Sequence, residues 1–88
     1  MSEPETRSII REYIVSTWLS GDARDFDDET DLALAGILDS FSTLDVAAFL
    51  GQRFRIALEP IEINTESFRN VASLARTVLA KQAATQAA

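Results

Sequence analysis

Apolar residues recur at spacings of three and four in three separate stretches, and no stretch sustains the two-residue alternation of a half-buried strand. Ile10, Ile14 and Trp18 fall four apart, with Tyr13 and Leu19 close to the same face. Thr43, Val46, Ala47, Leu50 and Phe54 make a second stripe, with Phe49 near it. Val71, Leu74, Ala75, Val78 and Leu79 make a third. A helix with one apolar stripe must cover it, and here only other helices can do so. The pattern predicts an all-α bundle. At 88 residues the chain has room for one domain with a modest core.

Start and stop signals set the expected boundaries. Ser2-Glu3-Pro4-Glu5 places acids and a proline where a helix begins, and Ser20-Gly21 ends it, giving a first helix over residues 4–19. Asp39 is a good N-cap for a second helix over residues 40–54. Residues 55–60 form a connection anchored by Ile56 and Leu58, residues 65–68 one short helical turn, and Asn70 caps the last helix. The domain is expected to span residues 1–81, with an alanine- and glutamine-rich tail, 82–88, that frays. The expected architecture is a small four-helix bundle: three main helices, a short third one and a long first loop.

That loop, residues 21–39, holds Asp22, Asp25, Asp27, Asp28, Glu29 and Asp31 in its first half. Phe26, Leu32, Leu34, Ile37 and Leu38 punctuate it without a helical period, as the apolar anchors of an ordered loop would. Loops this long in small domains are usually functional. An EF-hand does not fit: counting from Asp25, position six is Thr30 rather than Gly and position twelve is Gly36 rather than Glu. The acids are expected to be a solvated run rather than a built metal site, with loose divalent binding that relieves their repulsion as the alternative.

Composition narrows the function. The chain has no cysteine and no histidine, so disulfides, thiol nucleophiles and a Ser-His-Asp arrangement are excluded within it. Lys81, the one lysine, stands in the expected tail, so a serine nucleophile would have no evident base. A net charge of −6 makes nucleic acid a poor partner and basic protein surfaces good ones. No apolar run approaches membrane-spanning length, and the first residues lack the basic start of a signal peptide. A cytoplasmic location without membrane insertion is expected.

The most informative segment is Gly36-Ile37-Leu38-Asp39-Ser40-Phe41. It sets a serine in the first turn of a helix, after an acidic cap and a long loop. That hydroxyl should be exposed, and backbone N–H groups at the helix end can hold an anion such as a phosphodiester. The segment resembles the Gly-x-x-(Asp)-Ser signature of acyl and peptidyl carrier proteins. The similarity extends over nearly the whole chain, to a final helix introduced by Phe68-Arg69-Asn70-Val71. The resemblance implies that Ser40 is the attachment point of 4′-phosphopantetheine, added from coenzyme A by a phosphopantetheinyl transferase. It implies a non-catalytic carrier that presents a thioester to an activating ligase or synthase and to an acyltransferase. It also implies a monomer.

A second stripe on the second helix, Phe41, Leu44 and Ala48, has two readings: core beneath the first loop, or a docking face. The resemblance places Phe41 and Leu44 on the partner-facing surface, with Asp39 and Asp45 beside them. Ser42, Gly51 and Gln52 stand where fatty-acid-synthesis carriers often have acids, and Arg53 is basic, which favours a specialised, stand-alone carrier. Ala47, Ala48, Ala72 and Ala75 could leave space for an acyl chain, but close helix packing explains them too. Arg53 and Arg55 read as surface charges. The alternative function is an unmodified helical interaction domain docking through Phe41 and Leu44.

Overall fold

The computed structural model of the chain describes residues 2–22 and 24–87. Among these it contains three α-helices, α1 (Glu3–Trp18), α2 (Ser40–Phe54) and α3 (Val71–Ala87), one 3-10 turn (Pro60–Glu62) and no strand. The protein is all-α. The single turn expected at residues 65–68 carries one helical hydrogen bond, from the Phe68 N–H to the Asn64 carbonyl at 3.0 Å, and goes no further. The short helix instead starts at Pro60, whose fixed φ suits a first helical position. There Glu59 and Glu62 form a capping box. Residues 82–87 continue α3 rather than leaving it at residue 81, in keeping with the helix propensity of alanine.

The helix ends follow from local chemistry. The Ser2 hydroxyl accepts the Glu5 N–H at the start of α1. At its end the Leu19 and Gly21 N–H groups both donate to the Val15 carbonyl, with Gly21 at φ 83°. Asn70 caps α3 by accepting the Ser73 N–H at 2.7 Å. Helix α3 packs against both α1 and α2. Ile10 and Ile14, Val46, Leu50 and Phe54, and Val71, Leu74, Ala75 and Val78 meet in one core, which Ile56 and Phe68 complete. Ala72 is buried as well, and Ala47 packs against the core, so these alanines serve close helix packing. At the α1–α2 seam Tyr13 stacks on Phe49, with ring centroids 3.8 Å apart, and Trp18 meets Tyr13 edge-on.

The loop from α1 to α2 belongs to the core. Leu32 is fully buried and Ile37 nearly so, and Phe26 and Leu38 pack, partly buried, against the core. Leu34 is not an anchor: it is 87% exposed, on the outside of a turn whose inside is Leu32. Two backbone bonds stitch the loop to α3 and the segment before it. The Leu32 N–H donates to the Arg69 carbonyl at 2.8 Å, and the Ala72 N–H to the Asp28 carbonyl at 3.1 Å.

Asp28 does more than solvate the loop. Its carboxylate accepts from Arg11 at 2.8 and 3.3 Å and from Arg7 at 3.5 Å, joining α1 to the residue whose carbonyl meets α3. Hydrogen bonding to Arg11, opposed by desolvation, holds the Asp28 carboxyl below its usual range. A lowered folded-state pKa contributes stability above the unfolded value, lost as pH falls through the folded one. Unfolding free energy should therefore drop below about pH 4. Asp28→Asn is expected to flatten that dependence. At neutral pH it should cost about 1 kcal/mol in denaturant unfolding, since the arginines are exposed enough for solvent to screen the pair.

Candidate functional site

The site is assembled by the turn that precedes α2. The Ala35 N–H donates to the Asp31 carbonyl, and the Leu34 N–H to the Asp31 carboxylate. Gly36 then takes φ 77°, and the Ile37 and Leu38 N–H groups return to the Leu32 carbonyl. This reversal drops Ile37 into the core and leaves Asp39 at the mouth of α2. Nothing would crowd a Cβ on Gly36 within 4 Å, so the glycine is there for its backbone angle. Gly36→Ala is expected to lower stability by about 1–2 kcal/mol in thermal or urea unfolding.

Asp39 caps α2 through one carboxylate oxygen, which accepts the Phe41 N–H at 2.9 Å and the Ser42 N–H at 2.8 Å. These bonds, that from Ser42 above all, lower its pKa, so it is ionised at neutral pH. The Thr43 hydroxyl donates to the Asp39 carbonyl at 2.7 Å. Of the first-turn amides expected to hold a phosphodiester, those of Phe41 and Ser42 are already taken by the cap, which leaves that of Ser40 itself among the described residues.

Ser40 is the first residue of α2 and is exposed, and among the described residues its hydroxyl has no hydrogen-bond partner. Phe41, Leu44, Asp45 and Ala48 follow at helical spacing on one face, all exposed. Phe41 is 82% and Leu44 61% exposed, so this stripe is surface and not core. Burial, with the Asp45 charge adding to it, raises the Tyr13 phenol above its ordinary range, and Asp45 stands one turn before Phe49, whose ring stacks on Tyr13. Ile61, in the 3-10 turn, is another exposed large apolar side chain.

A cleft of about 230 Å3 opens beside the site. Leu38, Thr43, Ile63 and Phe68 line it, with Asp31, Asn64, Thr65 and Arg69. Leu38 and Thr43 lie two residues before and three after Ser40. The cleft was not legible in the sequence, because Phe68 reaches it from the stretch expected to be one short helical turn and Ile63 from residues with no expected element.

Elsewhere Arg53 lies over the Phe54 ring at 5.7 Å, and Arg55 ends α2 in the left-handed region. Among the described residues no three His, Cys, Asp or Glu side chains gather as metal ligands, and no helix is long and apolar enough to cross a membrane. No buried side-chain N or O atom among them lacks a hydrogen-bond partner. No protein-family model matches the chain, and no curated protein matches it either.

Proposed function

We propose that the protein is an acyl carrier. Ser40 Oγ takes a 4′-phosphopantetheine arm from coenzyme A, and an acyl or aminoacyl group travels on the arm as a thioester. Partner enzymes of fatty acid, lipid or secondary-metabolite synthesis use it. The observation that carries the reading is the placement of Ser40: an exposed hydroxyl without an internal partner, on the first residue of a capped helix, beside an exposed apolar face.

The residues fit such a group. An exposed Oγ can form its bond to phosphorus while the pyrophosphate bond of coenzyme A breaks and adenosine bisphosphate leaves. The hydroxyl proton passes to a base on the transferase, since no histidine is present in this chain. When bound, the arm supplies the thiol and the reach; tethering raises the effective concentration of cargo at each partner's active site. Asp39 and Gly36 hold the attachment point rigid, and Phe41 and Leu44, with Asp39, Asp45 and Ala48 around them, offer the docking face. The helical turn at residues 65–68 stands where a carrier of the four-helix type has its short helix, and that finer description belongs to this proposal. So do a monomer, a cytoplasmic location, and a transferase, a loading ligase or synthase and an acyltransferase as partners.

Intact mass after incubation with coenzyme A and a broad-specificity phosphopantetheinyl transferase tests the reading. One arm gained per chain is the expected result. A folded protein that gains none from an active transferase would overturn it. The exposure of Phe41 and Leu44 would then favour an unmodified interaction domain that docks through those two side chains.

A further inference from the structure

An anion carried on Ser40 meets an unusual helix end. Two of the amides that ordinarily receive it, those of Phe41 and Ser42, are engaged by the Asp39 carboxylate, and that carboxylate repels a neighbouring phosphate. Countercharge has to come from elsewhere. Of the residues lining the cleft beside Ser40, Arg69 alone is a cation. Arg7, Arg11, Arg24 and Lys81 are each paired with a carboxylate. The Arg69 side chain makes no ion pair or hydrogen bond among the described residues.

Three of the other polar groups of the cleft are already used, which leaves the uncharged Thr65 hydroxyl beside Arg69. The Asp31 carboxylate accepts the Leu34 N–H, the Asn64 side chain bonds the Ser67 N–H and the Ile61 carbonyl, and the Thr43 hydroxyl bonds the Asp39 carbonyl. Arg69 also has a fixed base: its carbonyl accepts the Leu32 N–H, and its neighbour Asn70 is buried and caps α3. A guanidinium fork matches two phosphate oxygens.

We infer that Arg69 binds the phosphodiester of the arm on Ser40, drawing the root of the arm over the cleft. The inference rests on the carrier reading above. Thr43 lies on the cleft side of α2 one turn from Ser40, and Arg69 lines the same cleft. A carboxylate on the cargo would offer the same chemistry, and a cargo-free protein removes that source.

The test is phosphorus NMR of the arm-loaded, cargo-free protein as wild type, Arg69→Gln, Arg69→Lys and Arg55→Gln, the last an exposed arginine at the far end of α2. Intact mass first shows that each carries the arm; if the wild type carries none, it is the carrier reading that fails. Thermal unfolding shows that each is folded. The wild-type phosphodiester resonance is expected to be displaced from its position in urea. Arg69→Gln should move it towards the unfolded position, with Arg69→Lys between the two and Arg55→Gln unmoved. Added salt should shrink the wild-type displacement. Coincident resonances in loaded, folded wild type and Arg69→Gln would overturn the inference and leave the carrier reading standing.

Discussion

Ser40→Ala is expected to yield a folded protein that takes up no phosphopantetheine at all. The effect is all or none because no other hydroxyl shares the position. Ser42 lies two residues on, roughly 200° around the helix, and is half-buried. The Thr43 hydroxyl is spent on the Asp39 carbonyl at 2.7 Å. The cost to the fold is small for equally local reasons. The Ser40 side chain has no partner to lose among the described residues, and alanine is the better helix former. Stability should change by less than about 0.5 kcal/mol. Intact mass and thermal unfolding on the same sample check both halves. An arm gained by the variant would place the attachment elsewhere, and loss of the fold would show that Ser40 has a structural duty.

The second large effect falls on a residue outside every helix. Leu32→Ala is expected to destabilise by about 3 kcal/mol, the usual cost of a leucine-sized cavity. In a domain this small that lowers Tm by roughly 15 °C. Leu32 is fully buried, its N–H reaches the Arg69 carbonyl, and its own carbonyl receives the Ile37 and Leu38 N–H groups. Removing the side chain therefore loosens the reversal that sets Asp39 and Ser40 in place. Leu34→Ala, two residues on and almost wholly exposed, should stay within about 0.5 kcal/mol. A cost below about 1 kcal/mol for Leu32→Ala would mean that the loop is not part of the core.

The three long helices were legible because period and punctuation agree. The expected second helix, residues 40–54, is α2 itself, since Asp39 announces its start and the stripe from Thr43 to Phe54 never breaks. The first and last helices differ from expectation only near their ends. What stayed hidden depends on tertiary closure. Asp28 looks like its acidic neighbours in sequence. The signal that separates it lies on α1, where Arg7 and Arg11 stand four apart on one face and need a shared carboxylate. Leu32 and Leu34 are the same residue type, and only the turn decides which points inward. The short helix lies at Pro60 and not at Thr65, because Pro60 with Glu59 and Glu62 carries the stronger start signal. At the site, the exposed position of Ser40 could be read from its cap. The occupied amides could not, because a capping aspartate and an anion-binding helix end look alike until the carboxylate is placed.

The aromatic seam gives the molecule a built-in optical gauge. Trp18, the one tryptophan, meets Tyr13 edge-on, and Tyr13 lies flat on Phe49 of α2. Tyr13 and Trp18 both stand on α1, and Trp18 packs partly buried against the core, so its emission shifts to longer wavelength when the bundle opens and water reaches the indole. Phe49 sits nine residues along α2 from Ser40, about 13 Å by helix rise. The emission of Trp18 therefore reports on how the bundle is closed from a place remote from the serine, so the seam can be watched while the other end of α2 is being handled by another protein.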